Sequence, residues 1–350
     1  MAAIGQYIYN YLSVAMSSTI LDDAVPSVAD VLKVKQYFID RAALPIELID
    51  TILDHAEYWP CTSTSTSGRA MASGRYAHRN ATSNENKFLL RSFPLGFSPS
   101  SSHYQISKPD LNEYASKQPS PWPDSKEVPQ NATEELLENW KTRTSATTEH
   151  PCRKIVFTIK SRDQGAAGEF GTQGTYNHSY SWFEAGLEKV SALKEKHVLE
   201  AWKTAPRPQF EVVPHTPDDA TPPVPIICSL RTIEPATIPI ESPNIAEDEG
   251  AGYIFQQHLH PSTTRRIQSN VVAQRQQKEH VVTWSCFDDM KPDSPGADEL
   301  ESIGRGPGTG DGEFVRNMRV GDVVTIWAKA RFPGWQNNVE SVKVDVYWAI

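Results

Sequence analysis

The clearest pattern in the sequence is an alternation of apolar and polar residues that recurs in the second half of the chain. It is strongest over 153–161, 323–331 and 342–348, which are rich in valine, isoleucine, tyrosine and tryptophan. A period of two places one set of side chains on one face of an extended strand. These segments therefore predict half-buried β-strands. Weaker runs predict further strands at 87–93, 175–188, 225–231 and 271–284.

A helical period replaces this alternation near the start of the chain. Over 26–43, apolar residues such as Val28, Val31 and Phe38 recur at a spacing close to 3.6 residues, which predicts an amphipathic helix. A second helix is predicted to begin at Leu44 and Pro45, because proline is favoured in the first turn of a helix. The segment 187–203 has a similar apolar spacing and predicts a third helix.

Segments without a period separate these elements. The stretch 61–86 is rich in serine, threonine, asparagine and glycine and predicts a flexible loop, and 304–312 is rich in glycine and predicts another. The sequence thus predicts a helical arm (1–60), an irregular linker with one strand (61–150) and a β-domain (151–350) with an insertion at about 187–250. Many short strands and long Pro/Ser-rich loops favour a mainly β fold, a jelly-roll-like antiparallel β-sandwich.

Composition and charge narrow the classes of partner. The formal net charge is −9 and the basic residues are scattered, which argues against a nucleic-acid-binding surface and against an anionic membrane surface. No run of about 18 apolar residues predicts a transmembrane helix. The four cysteines are far apart, which argues against a zinc site and favours reduced thiols in the cytoplasm or nucleus. They are Cys61, Cys152, Cys228 and Cys286.

One short motif near the start carries a resemblance. The run Leu44-Pro-Ile-Glu-Leu-Ile-Asp-Thr-Ile-Leu-Asp-His-Ala resembles the opening of an F-box, whose helices dock on the Skp1-type adaptor of a ubiquitin ligase. The rest of an F-box does not follow in the sequence. The alternative is an amphipathic helix that packs on the protein's own β-domain. The resemblance implies partner-binding positions at Leu44, Pro45, Leu48, Ile49, Ile52 and Leu53.

A second resemblance covers about half of the chain. The blocks beginning Ser161-Arg-Asp-Gln-Gly, Ser181-Trp-Phe-Glu, Gly312-Glu-Phe-Val-Arg and Val320-Gly-Asp-Val-Val resemble a family of fungal proteins. Members of that family pair an F-box-like start with a C-terminal β-sandwich domain. The family has no established activity, so the resemblance implies an architecture and leaves the ligand open.

Three residues in the β-domain are candidates for ligand binding. Arg305 lies in the glycine-rich segment, which lacks the lysine of a phosphate-binding P-loop, but it could meet an anion or a sugar at the rim of the sandwich. Trp335 lies in a predicted loop beside the amide of Asn337, and this pairing suits sugar stacking. Alternatively, Trp335 plugs the end of the sandwich. His258 and His260 lack a nearby third ligand, so no metal and no cofactor are expected.

These observations favour recognition over catalysis. No Gly-x-Ser-x-Gly motif is present, and no pair of carboxylates stands out as the acid and base of a glycoside hydrolase. The leading hypothesis is a non-enzymatic interaction protein, and its more specific form is an F-box-like substrate adaptor that binds a Skp1-type protein. The alternatives are a module that binds a glycan or glycoprotein, or a hydrolase acting on sugars.

Overall fold

A computed structural model of the protein describes residues 25–74, 84–99, 107–121, 144–166, 170–194, 226–239 and 253–350. The chain divides into two units, one ending at Cys61 and the other beginning at Thr62. The first is the helical arm and the second is the β-domain.

Two helices form the described part of the arm, as the apolar spacing predicts. Helix α1 (Val28–Ala42) begins with a capping box, in which Ser27 and Asp30 each bond the other's backbone N–H. Helix α2 (Ile46–His55) begins directly after Pro45. The Lys35 ammonium of α1 lies 2.6 Å from Oδ1 of Asp50 in α2, so an ion pair joins the two helices.

The β-domain contains two antiparallel sheets that together form a sandwich. Its strands are β1 (Cys61–Ser73), β2 (Asn86–Arg91), β3 (Cys152–Arg162), β4 (Ser181–Lys194), β5 (Ile226–Glu234), β6 (Thr237–Pro239), β7 (Tyr253–Phe255), β8 (Arg266–Ser269), β9 (Lys278–Ser285), β10 (Val323–Ala330) and β11 (Gln336–Trp348). Its helices are α3 (Lys108–Ser116), α4 (Pro295–Ser302), a 3₁₀ helix (Pro307–Asp311) and α5 (Glu313–Arg316).

The order of the strands confirms the jelly roll. Sheet A has the order β1-β11-β3-β9, and sheet B has the order β2-β10-β4-β5, with β8 also paired to β4. When these eight main strands are renumbered 1 to 8 along the chain, the two sheets become 1-8-3-6 and 2-7-4-5. Successive strands therefore cross repeatedly between the sheets, as in a double Greek key. Strands β6 and β7 form a separate two-stranded sheet.

The core lies between the sheets and is rich in aromatic residues. Phe157 of β3 and Trp284 of β9 meet edge to face with ring centroids 4.9 Å apart. Trp284, Trp327 and Trp348 are all buried, as expected for tryptophans within strands. Strand β10 is buried along its whole length, so both faces of sheet B are covered near its centre.

One face of sheet B buries charged residues. Alternation along β4 and β10 places Glu184 and Glu188 on this face with Trp327 and Lys329. The Lys329 ammonium lies 2.5 Å from Glu184 Oε2, and Arg91 donates to both carboxylate oxygens of Glu188, at 2.8 and 3.0 Å. Helix α3 and the segment after β7 supply further contacts, through the Tyr114 carbonyl and the Gln257 amide.

Several segments differ from the sequence-based expectations. The expected loop at 61–86 is wrong for 61–73, which forms edge strand β1, and the expected helix at 187–203 is wrong for 187–194, which continues β4. Residues 195–203 lie outside the described part. Helix α3 adds an element that the predicted irregular linker did not include. The glycine-rich segment is folded, because it contains the 3₁₀ helix Pro307–Asp311.

Candidate functional site

The predicted partner-binding residues of α2 divide into exposed and buried positions. Leu48 is 52% exposed and Pro45 is exposed, while Leu44 and Ile52 are half-buried. In contrast, Ile49 is 0% exposed and Leu53 is also buried. Residues four apart share a face of a helix, so Leu48 and Ile52 form an accessible stripe next to a buried stripe of Ile49 and Leu53. The buried stripe is unavailable to a partner.

The arm concentrates exposed apolar side chains. Of the 13 large hydrophobic residues that are exposed in the described parts of the chain, five lie within 25–48. Leu32 and Ile39 are seven residues apart on α1 and therefore share a face. Scattered single apolar residues are common on protein surfaces, but a local concentration is typical of an interaction site. The five residues are Val25, Leu32, Ile39, Ile46 and Leu48.

Trp335 belongs to an aromatic cluster at one end of the sandwich. The Tyr180 ring contacts the Trp335 ring at a centroid distance of 5.3 Å and the Phe332 ring at 4.6 Å, both edge to face. Phe332 is 39% exposed, whereas Trp335 and Tyr180 are half-buried. The Trp335 carbonyl accepts a hydrogen bond from the Gly74 N–H, so the loop is tied to the end of β1. Trp335 therefore both packs on the sandwich and leaves part of its surface accessible.

Asn337 does not lie on the surface with Trp335. Its side chain is fully buried, and its amide donates to the carbonyls of Trp182 and Lys329 at 2.9 and 3.3 Å. Its oxygen accepts from Asn270 at 3.0 Å. This corrects the expectation of an amide beside Trp335, because alternation along β11 turns residue 337 toward the core. Asn337 ties backbone segments together and is unavailable to a ligand.

Arg305 lies against strand β9, in the long connection before β10. Its Nη2 donates to the Val281 carbonyl at 3.0 Å, so the side chain covers part of the sheet edge. Burial lowers the pKa of the Arg305 guanidinium. The residue is half-buried, and part of its side chain still faces the surface.

A cavity of about 240 Å³ lies beside Asp322 at the start of β10, whereas Trp335 follows the end of that strand. Eight residues of strands span roughly 23 Å, so the two features are well separated. The sequence analysis did not identify this site, although Glu313 and Phe314 fall in one of the family-like blocks. The cavity is lined by Leu187, Thr264, Arg265, Gly308, Asp311, Glu313, Phe314, Asn317, Met318 and Asp322.

The polar groups of this cavity are largely held by the protein itself. The Arg265 guanidinium lies 4.5 Å from the centroid of the Phe314 ring and donates to Glu234 at 2.8 Å. Burial raises the pKa of Asp322, although its carboxylate accepts from the Arg319 N–H at 2.9 Å. The charged groups of the cavity are thus largely committed to partners within the protein.

Among the residues that the structure describes, no cluster of three or more histidine, cysteine, aspartate or glutamate side chains is arranged to hold a metal ion. No helix in the same residues is both long enough and apolar enough to cross a membrane.

Comparisons with known proteins found no match: no protein-family model, no curated protein and no solved structure matches the chain.

Proposed function

We propose that the protein is a non-enzymatic recognition protein that uses its helical arm to bind a Skp1-type adaptor and its jelly roll to bind a second molecule. The observation that carries this proposal is the concentration of exposed aliphatic side chains on α1 and α2. Such side chains cost free energy in water and gain it when a partner covers them, at about 25 cal/mol per Å² of apolar surface.

The accessible stripe of Leu48 and Ile52 defines the experiment. Purified full-length protein is mixed with a purified Skp1-type adaptor, and the dissociation constant is measured by calorimetry. Leu48→Asp combined with Ile52→Asp places two charges in the proposed interface. We expect the affinity to fall at least about 30-fold, which corresponds to roughly 2 kcal/mol.

A matched control separates docking from general surface effects. Val281 is 54% exposed on β9 of the sandwich, so Val281→Asp adds a charge to an equally exposed aliphatic position outside the arm. This variant should bind the adaptor with unchanged affinity. If the wild-type protein shows no binding, or if the double variant binds as well as the wild type, the adaptor proposal is wrong.

A second candidate function is glycan recognition at the aromatic cluster of Tyr180, Phe332 and Trp335. Aromatic rings with one accessible face and one packed face suit stacking against a sugar ring. The exposed part of this cluster is the observation that favours this function. It is compatible with the first proposal, because the two sites lie in different units of the chain.

A glycan array tests this second function. Trp335→Ala should remove any signal that the wild-type protein gives, and Phe170→Ala serves as the control because Phe170 is an exposed aromatic residue outside the cluster. Melting curves of both variants check that the sandwich is intact. Absence of any glycan signal from the wild-type protein would count against glycan recognition.

A further inference from the structure

Cationic side chains gather around Tyr176 at the beginning of strand β9. The Lys278 ammonium lies 2.9 Å from the Tyr176 hydroxyl and 5.1 Å from the centroid of its ring. The His280 ring meets the same tyrosine edge to face at 5.9 Å. Arg305 approaches from the connection between β9 and β10 and donates to Val281, the residue next to His280. Four side chains from three segments thus meet at one place.

This cluster differs from the sites of Arg91, Arg265 and Arg266 because it has no acidic partner among the residues that the structure describes. Arg91, Arg265 and Arg266 each form an ion pair with a glutamate. Neither Arg305 nor Lys278 forms an ion pair with a carboxylate in the part of the chain that the structure describes. A half-buried guanidinium without a counterion is unfavourable, and in a protein of net charge −9 the omission is notable.

The cluster also has hydrogen-bond donors to spare. Arg305 uses Nη2 on the Val281 carbonyl, and its Nη1 has no acceptor among the described residues. Lys278 donates one of its three ammonium protons to the Tyr176 hydroxyl. Because that hydroxyl oxygen acts as the acceptor, its own proton can still be donated to another group. Arg305, Lys278 and Tyr176 therefore each keep a donor that no acceptor uses among the described residues.

The backbone around Arg305 is fixed by its neighbours. Gly304 has a φ of +83°, and a Cβ at this position would lie 2.5 Å from Cδ1 of Tyr176, so only glycine allows the ring to pack there. The Gly304 carbonyl accepts from the Ser269 N–H at 2.7 Å, and the Arg305 carbonyl accepts from Arg266 at 2.8 Å. The backbone that carries Arg305 is therefore held in place before any ligand binds.

We propose that Arg305, Lys278 and Tyr176 form a binding site for a tetrahedral oxyanion, such as a phosphate or sulfate group. A planar carboxylate presents two oxygens, whereas a tetrahedral oxyanion presents enough acceptors in three dimensions for donors from three segments. This site is independent of the proposed adaptor surface, because all of its residues lie in the β-domain.

His280 couples this site to pH. Burial, together with the charges of Lys278 and Arg305, lowers the pKa of His280 to about 4, and Tyr176 is the other titratable group facing it. A bound anion offsets the repulsion from the two cations and raises the pKa of His280. By linkage, the affinity for the anion increases as the pH falls toward that value.

Calorimetry at constant ionic strength tests the site with sulfate, phosphate, O-phosphoserine and acetate. We expect saturable binding of the tetrahedral anions and at least tenfold weaker binding by Arg305→Gln and by Lys278→Gln. Lys160→Gln is the control, because Lys160 is another exposed lysine of sheet A and is already paired with Glu340 at 2.7 Å. Lys278 is exposed, so its variant tests the site even if Arg305→Gln fails to fold.

The outcomes are distinct. Tighter binding of O-phosphoserine than of sulfate assigns a phosphorylated ligand, and the reverse assigns a sulfate group. Sulfate should bind several-fold more tightly at pH 4.5 than at pH 7.5, because His280 is protonated only near its lowered pKa, and His280→Gln should remove this difference. The proposal is overturned if no anion saturates, if acetate binds as well as sulfate, or if the Arg305 and Lys278 variants keep full affinity.

Discussion

At the residue scale, the enclosed ion pair between Arg91 and Glu188 illustrates how this protein accommodates buried charge. The two groups make a bidentate contact, and Arg91 also donates to the Tyr114 carbonyl at 3.1 Å. Thr232 donates to the carboxylate at 3.3 Å. Because the two side chains are only 7% and 2% exposed, the loss of either partner would leave the other charge buried without a counterion.

Removing one partner of this pair should be more harmful than removing both. Arg91→Met leaves a buried carboxylate without its counterion, and we expect it to lower the free energy of unfolding by about 3–5 kcal/mol. Arg91→Met with Glu188→Leu should cost less, because no charge remains buried. Urea denaturation followed by tryptophan fluorescence measures both. A double variant less stable than the single one would contradict this expectation.

His280 should make the stability of the protein depend on pH. Its pKa is lowered from 6.5 to about 4 in the folded state, by burial first and then by Lys278 and Arg305. Between these values the unfolded chain binds more protons, so stability is complete above pH 6.5 and falls as the pH drops toward 4. The loss should be roughly 2–3 kcal/mol. Denaturation at pH 7.5 and 4.5 measures it.

The variant His280→Gln should reduce this pH dependence, and His260→Gln serves as the control because His260 is exposed. Other groups also titrate between pH 4.5 and 7.5. The prediction is therefore that the stability of His280→Gln depends less on pH than the stability of His260→Gln. Equal pH dependence in both variants would show that folding does not lower the pKa of His280.

Residue types alone could identify candidate positions but not their surroundings. Arg305 and Trp335 stood out because an arginine among glycines and a tryptophan in a loop are unusual. The sequence could not reveal that Lys278, 27 positions earlier, lies beside the same tyrosine as Arg305, since this proximity depends on the pairing of β9. Asn337 was misplaced for a simpler reason: the strand begins one residue before it, at Gln336.

At the element scale, Gly186 allows strand β4 to pack closely against atoms of the neighbouring strands β5 and β10. A Cβ at Gly186 would lie 2.4 Å from the Glu234 carbonyl oxygen and 2.4 Å from Oγ1 of Thr325. The former is a backbone atom of β5, so the strand itself would have to move. The glycine therefore permits close packing on this face of sheet B.

Gly186→Ala should destabilise the sandwich by about 1–3 kcal/mol, the usual range for overpacking. Gly68→Ala is the matched control, because Gly68 also lies within a strand and a Cβ there meets nothing within 4 Å. We expect the control to be neutral or slightly stabilising. Thermal melting of both variants measures the difference, and similar melting temperatures would contradict the prediction.

Strands with a strong alternation of apolar and polar residues could be predicted from the sequence. Strands that form only because they pair with a strand distant in the sequence could not. Strand β1 has the composition of a loop, yet its threonines at 62 and 64 are buried, while residues 63 and 65 are exposed. Threonine is β-branched and favours strands, so its recurrence at every second position was the signal in the sequence that could have predicted β1. The second half of β4 has a helical apolar spacing, but its pairing with β5 over Leu187–Lys194 overrides that local preference.

At the scale of the whole molecule, the two ends of the sandwich differ in character. One end carries the aromatic cluster, and the other carries the cavity lined by Arg265 and several carboxylates. A jelly roll separates its connecting loops into two groups in this way, because successive strands run in opposite directions. A ligand at one end would leave the other end accessible.

The sheet order also predicts where the fold is most resistant to opening. Strands β3, β4, β10 and β11 have paired neighbours on both sides, whereas β1 and β9 lie at the edges of sheet A. Hydrogen exchange followed by mass spectrometry should therefore find the slowest amides in β3, β4, β10 and β11. Equal protection of β1 and β3 would indicate that something covers the edge of β1.

The position of β11 has a consequence for how the protein is made. It lies between β1 and β3, which the ribosome synthesises much earlier. Until β11 has been translated, the facing edges of β1 and β3 are both open, and open strand edges can pair with other chains. Sheet A therefore keeps open strand edges for longest during synthesis, and a truncation within β11 would make that exposure permanent.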